Sequence, residues 1–179
     1  ARVGWGASGR NGGQLISGFT FSDKFEKEMG AEVAQSIWDL GAKATDLVRK
    51  RIEEFNIQCD LKEGFIEVAL NRIQKNELIA RKKEWDRRGY GHSLTFVEKE
   101  DVTKYVNSPN YIAGLIDSGS GHLHPLNLVL GEAKAAKDLG VRIYEQTKAE
   151  KVEYGKTAKI HTNNYQIEAD YIVLACNAY

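Results

Sequence analysis

Cysteine is almost missing from this chain. Cys59 and Cys176 are the only two, far apart and outside any CxxC spacing, which excludes a disulfide scaffold and a thiolate metal knuckle. Two free thiols in a reducing, cytoplasmic setting are predicted. An excess of charge of either sign is missing too, since 25 Lys and Arg balance 25 Asp and Glu. That excludes a basic footprint for nucleic acid and a patch for an acidic partner. No apolar run approaches the ~20 residues of a membrane-spanning helix, so no membrane partner is expected. There is no repeat or low-complexity segment, no Ser-His-Asp order, and no carboxylate pair in a recognisable catalytic setting. His122 and His124 stand two residues apart, but no third ligand is close in sequence, so no metal is expected.

Glycine is what the chain has in its place. The run Gly4-Trp5-Gly6-Ala7-Ser8-Gly9-Arg10-Asn11-Gly12-Gly13-Gln14 holds five glycines in eleven residues. Without a Cβ, its backbone N–H groups can turn outward and approach a ligand closely. Successive outward N–H groups make a concave anion site, and Arg10 adds a cation suited to phosphate. A frayed, glycine-rich terminus is the competing reading, and the run alone does not separate the two. The chain opens at Ala1 in mid-motif, which predicts a piece of something larger.

Ser22 or Asp23 is expected to cap a long helix reaching about Phe55, with Glu26 at capping-box spacing from Asp23. Val33, Ile37, Leu40, Ala44, Leu47, Val48 and Ile52 recur at helical spacing and predict its buried face, with Trp38 in the core. A strand is expected between Cys59 and Asn71, then an amphipathic helix from about Ile73 to Arg88 stopped by Gly89. The basic residues Arg81, Lys82, Lys83, Arg87 and Arg88 read as its solvated face. Leu94 to Val97 predicts a short strand, Glu98 to Val106 a brief helix, and Tyr111 to Asp117 a strand ending in Ser118-Gly119-Ser120-Gly121. Pro125 suits a helix N1 position, and that helix closes at Gly140. Val141 to Tyr144 is expected to follow as a strand. Three meander strands come next, at Ala149 to Tyr154, Ala158 to Thr162 and Tyr165 to Glu168. Tyr171 to Ala175 is a continuous apolar run, the mark of a parallel strand buried on both faces.

In this order, the Gly-Ala-Ser turn, the long helix, Gly121-His122-Leu123-His124-Pro125, Gly140-Val141-Arg142-Ile143-Tyr144, the meander, and Ala169-Asp170-Tyr171-Ile172-Val173-Leu174-Ala175-Cys176-Asn177-Ala178-Tyr179 form one pattern. It resembles the FAD-dependent amine oxidoreductases of the D-amino-acid oxidase and sarcosine oxidase superfamily. Gly6 to Gln14 and Leu174 to Tyr179 most resemble the gamma-glutamylputrescine oxidase subgroup. The family's Gly-x-Gly-x-x-Gly unit and the acidic residue that holds the ribose are not found here. Many members also carry Gly where Asn177 stands. A central segment of such a protein is therefore expected.

The resemblance implies an α/β fold: an incomplete, Rossmann-like, three-layer FAD-binding domain from residues 1–57 and 122–179, with part of a mixed α+β substrate domain, 58–121, inserted. It implies FAD as cofactor, with Ser8, Arg10, Asn11, Gly12, Gly13 and Gln14 along the pyrophosphate-to-flavin part and Arg2 near the adenosine. Val152 matches the position whose backbone meets the adenine, and Ala175 and Cys176 match the turn under the pyrophosphate. The buried strand before Cys176 makes this thiol an expected apolar filler. Trp5 is expected beside the cofactor. One of His122 and His124 would face the flavin in a functional reading; a helix N-cap role is the favoured alternative.

The implied reaction is oxidation of a primary or secondary amine to an imine, which water hydrolyses, with dioxygen reduced to hydrogen peroxide. Gamma-glutamylputrescine is the first substrate to try. A sarcosine- or D-amino-acid-type oxidase is the nearest alternative. A further one is a flavin-free, inactive polypeptide that self-associates through the apolar edges around Ile172 to Leu174.

Overall fold

Strand β4 (Ala113–His122) is the axis of the larger sheet in the computed structural model, which describes residues 2–18 and 23–176. Strand β2 (Lys62–Ala69) runs antiparallel along one edge, from Ala69↔Ala113 to Lys62↔His122. The other edge is shared. Strand β3 (Leu94–Glu98) covers Ala113 to Asp117, and the two-residue strand β1 (Gln14–Leu15) covers Gly121 and His122. The segment Ser118-Gly119-Ser120-Gly121 was expected to end the strand, yet β4 continues through it. Glycine there permits close approach, since a Cβ at Gly121 would stand 2.4 Å from the Lys62 carbonyl oxygen.

The expected long helix is two helices. Helix α1 (Asp23–Met29) stops at Gly30, whose φ of 82° lies outside helical space, and α2 (Ala31–Glu54) begins again. The capping residues proposed at Ser22 and Asp23 lie outside what is described of the backbone and side chains. Glu26 pairs with Arg88 at 2.6 Å. The buried face of α2 is Ala34, Trp38, Gly41 and Thr45, whereas the predicted Val33, Leu40 and Leu47 are exposed. The face is rotated by about one residue because Ser17 and Gly18, just past β1, and the end of α3 dock there. The Gly18 N–H donates to the Gly41 carbonyl at 3.2 Å, and Trp38 meets Trp85 edge-on at 5.1 Å.

Helix α3 (Arg72–Arg87) starts at Asn71, whose side chain accepts from the Gln74 N–H, and ends at Gly89 with φ 75°. Its Leu78 enters a core with Ala69, Leu94, Ala113 and Leu115, beneath Trp85, Tyr90 and Phe96. The basic stripe is not uniformly solvated. Arg81 is bidentate to Glu67 of β2, and Arg88 lies buried against Glu26, Glu84 and the Trp38 ring. The brief helix after β3 is a single turn, α4 (Lys99–Val102).

Helix α5 (Pro125–Asp138) has Pro at its first turn and Gly140 (φ 92°) past its end. A second core of Ile57, Cys59 and Leu123 joins it to α2 and β1 through Leu128, Val48, Ile52 and Leu15. Strands β5 (Ala149–Glu153), β6 (Ala158–Thr162) and β7 (Gln166–Ala169) form the expected meander.

Two predicted strands are not strands here. Residues 141–144 and 171–175 lie outside every ladder, because no described strand lies alongside to pair with them. Tyr171 and Val173 are accordingly 90% and 86% exposed, and Cys176 is exposed rather than a core filler. Every strand pairing among the described residues is antiparallel. Among them, no helix is long and apolar enough to cross a membrane.

Two outcomes follow from this packing. Leu78→Ala, at 2% exposure in the α3–sheet core, is expected to cost about 3 kcal/mol in chemical denaturation. The Arg87 hydrogen bond, then that of Arg88, holds the Glu84 carboxyl down to about 2. A depressed carboxylate stabilises the fold above its unfolded value, and that contribution fades as pH falls towards the folded one. The stability gap between wild type and Glu84→Gln should therefore be full above about pH 4.5 and close towards pH 2.

Candidate cofactor site

The glycine-rich run is folded, not frayed. Residues Ala7–Gly9 form one 3-10 turn, closed by Gly9 N–H to Gly6 O at 3.2 Å and Arg10 N–H to Ala7 O at 3.1 Å. Asn11 staples the turn: its Nδ2 donates to the carbonyls of Ala7 and Ser8, and its Oδ1 accepts from the Gly13 N–H at 2.8 Å. Gly13 has φ 66°, and a Cβ on it would stand 1.9 Å from the Leu123 carbonyl oxygen. Leu123 N–H in turn donates to Gly13 O at 2.8 Å, so the turn is riveted to the segment between β4 and α5. From there β1 begins.

What the turn presents outward is bare backbone and one cation. A Cβ at Gly6 or Gly12 would meet nothing within 4 Å, so both positions face open space. Arg10 is exposed, with its guanidinium 4.9 Å from the centre of the Trp5 ring, which is itself 60% exposed. Ser8, Asn11, Gly13 and Gln14 line a cavity of about 250 Å³, floored by Leu15, Val48, Leu123 and Leu128. The open glycine backbone and Arg10 outside this cavity suit an anion and its apolar floor suits a ring, so the residues fit a phosphate-bearing, partly apolar cofactor; Glu132, also on the cavity wall, is paired with Arg51.

The remaining expected contacts are elsewhere. Arg2 is exposed, next to Val3, whose N–H donates to Glu145 at 2.7 Å. Val152 is half-buried on β5, Ala175 and Cys176 lie exposed beyond β7, and none of the three lines this cavity. His124 is the N-cap of α5, its Nδ1 accepting from the Asn127 N–H at 3.3 Å. His122 is exposed at the end of β4, opposite Gln14. A larger cavity of about 860 Å³ lies between α3 and the sheet, but its Glu67, Glu84 and Glu26 are already matched by arginines.

A buried polar cluster beside the turn escaped the sequence reading. Asp117, 6% exposed, accepts from Tyr90 Oη at 2.9 Å, from Gly119 N–H at 2.8 Å and from Ser120 Oγ. Ser120 Oγ accepts from Ser17 N–H at 3.0 Å, and Ser17 Oγ donates to Gly119 O at 3.0 Å and meets Thr45 Oγ1 at 3.0 Å. Burial, and then the Asp117 carboxylate, push the Tyr90 phenol far above its ordinary value. The one available signal was a carboxylate followed by Ser-Gly-Ser-Gly in a strand, which reads as a loop.

The mixed α/β fold is similar to that of FAD-dependent oxidases, and the family match agrees. The whole chain, residues 1–179, matches the model of the FAD dependent oxidoreductase family called DAO, and the chain belongs to that family. FAD is the cofactor of its members. Relatives include "Probable oxidoreductase OrdL" of Haemophilus influenzae, 40% identical over 182 residues, and "Gamma-glutamylputrescine oxidoreductase" of Escherichia coli, 35% identical over 180. Both alignments cover 100% of this chain and 42% of the relative, so the chain spans less than half of those proteins. Among solved structures, glycine oxidase from Geobacillus kaustophilus superposes with a TM-score of 0.75 at 21% identity, over 97% of this chain and 46% of that one. At that identity the likeness concerns the fold.

Paired glycine substitutions separate shape from contact. Gly13→Ala is expected to lower both thermal stability and FAD affinity, because φ 66° and the Leu123 carbonyl oppose a side chain. Gly12→Ala, where a Cβ meets nothing, should leave the melting temperature of the apoprotein unchanged and weaken only FAD binding, read by flavin fluorescence titration.

Proposed function

We propose that this chain is the cofactor-cradling part of an FAD-dependent amine oxidase, with gamma-glutamylputrescine as its first substrate class. The observation that carries the reading is full-length alignment of the chain to the Escherichia coli relative at 35% identity, glycine turn included. The domain division goes with it: residues 1–57 and 122–179 on the cofactor side, 58–121 on the substrate side. A cytoplasmic setting is part of the same proposal, and the two free thiols suit a reducing compartment.

Bound FAD supplies two-electron oxidation at the carbon bearing the amine nitrogen, with dioxygen taking the electrons as hydrogen peroxide. This chain's residues bind and position. Arg10 and the open backbone at Gly6 and Gly12 offset phosphate charge, with Ser8 and Gln14 exposed alongside. Asn11 keeps the turn closed from within, so its N–H groups are preorganised before the cofactor arrives. Arg2 and Val152 extend the contact towards the adenosine end, and Ala175 and Cys176 pass under the pyrophosphate. The amine must lose hydride as the neutral base, and the group that favours that form is not among the residues gathered here.

The experiment is an oxygen-electrode and peroxide assay of the flavoprotein carrying this segment, with gamma-glutamylputrescine, sarcosine and D-amino acids compared at equal concentration. A kcat/KM for gamma-glutamylputrescine at least tenfold above the others supports the proposal. A preference for sarcosine or a D-amino acid moves it to that oxidase class, and a flavin-loaded protein that oxidises no amine overturns it.

A second reading has its own observation. Val141, Tyr144, Tyr171, Val173 and Leu174 are all more than half exposed on segments without ladder partners. The 179-residue polypeptide by itself is accordingly expected to self-associate. Light scattering that gives a monomer mass at high concentration would contradict this.

A further inference from the structure

The far edge of β4 has a gap. Strand β3 covers it up to Asp117 and β1 covers it from Gly121, so no described strand lies beside Ser118, Gly119 and Ser120 on that edge. Bonds outside the ladders, most of them to side chains, fill the gap. Ser93 N–H donates to Ser118 Oγ at 2.9 Å and Ser118 N–H to Ser93 O at 3.0 Å on the β3 side. On the β1 side, the Asp117–Ser120–Ser17–Thr45 chain takes over.

Ser120 gives its hydroxyl proton to the Asp117 carboxyl and turns a lone pair to the Ser17 N–H. Ser17 Oγ donates to the Gly119 carbonyl and shares a hydrogen bond with Thr45 Oγ1. The relay thus runs from Tyr90, beyond the end of α3, through β4 to Ser17, two residues past β1, and on to α2. Ser17, Thr45 and Asp117 are nearly fully buried, and Ser120 is fully so.

Strand β1 has only two ladder pairs, Gln14↔His122 and Leu15↔Gly121. Two pairs hold a register weakly, and a slip of one residue would turn Gln14 to the opposite face and pull Gly13 away from Leu123. We propose that the Asp117–Ser120–Ser17 relay sets the register of β1 and thereby places the glycine-rich turn for FAD. Asp117 and Ser120 act here as positioning residues, through Ser17 and β1. The proposal rests on the flavoprotein reading above.

Ser120→Ala in the flavoprotein carrying this segment removes the acceptor of the Ser17 N–H while leaving Asp117 its Tyr90 and Gly119 donors. Glu67→Gln is the comparison. It breaks the Arg81 ion pair on the opposite edge strand, β2, and has no link to β1. Three quantities are read for each: apoprotein melting temperature, FAD dissociation constant by fluorescence titration, and flavin two-electron reduction potential. Ser120→Ala is expected to raise the FAD dissociation constant at least tenfold and to shift the potential. Glu67→Gln should keep both at wild-type values, and its part-exposed ion pair should cost little melting temperature. Thr45→Val, which removes only the outermost hydroxyl, should give a smaller shift of the same kind. An FAD dissociation constant for Ser120→Ala within twofold of wild type overturns the proposal, and so does an equal weakening in Glu67→Gln. Wild-type protein that takes up no FAD at all overturns the flavoprotein reading itself, and this proposal with it, before any variant is made.

Discussion

The hold of β4 on its neighbours is the constraint on which the rest depends. One strand organises the four-stranded sheet through β2 and β3, and by its last two residues fixes β1 and the turn that precedes it. At the point where β3 stops and β1 starts, backbone pairing fails. A buried carboxylate and two serines take its place. A buried carboxylate is tolerated only when its acceptors are filled, and Asp117 has three donors on it. The same network ties the end of α3 to α2, so the packing of the helices and the placement of the turn are one problem.

The glycine-rich turn carries two separate demands. Gly13 is needed for the fold, because its conformation and the Leu123 carbonyl leave no room for a side chain. Gly6 and Gly12 are not, because space is open around them. Glycine retained where no protein atom requires it is what a close-approaching ligand would ask of the backbone, and Arg10 beside it gives that ligand a sign. Asn11 spends its amide on closing the turn, which fixes the cradle in advance of binding.

Much of this was legible in the sequence because it is local. Gly89, Pro125 and Gly140 mark helix ends through their own φ preferences, and the structure puts α3 and α5 within a residue or two of the expected limits. The N-cap role of His124 follows from its place before Pro125. What stayed hidden is non-local. Ser17 reaches Ser120 across 103 residues and Thr45 across 28, and no spacing rule joins them. Ser118-Gly119-Ser120-Gly121 reads as a turn because its ladder partners lie far away in the chain. The face of α2 was displaced because its buried side is chosen by Trp85 and Gly18, not by the most apolar residues, which leaves Leu40 and Leu47 outside. Val141 to Tyr144 and Tyr171 to Ala175 have strand-like composition, but a strand also needs a partner, and no described residue supplies one.

The most direct measurement is amide hydrogen–deuterium exchange of the flavoprotein carrying this segment, with and without FAD. If the turn held by β4 is the cradle, peptides spanning residues 4–15 gain strong protection with FAD, while those of α3 and β3 stay as they were. Unchanged exchange across residues 4–15, with protection appearing elsewhere in the chain, would contradict it.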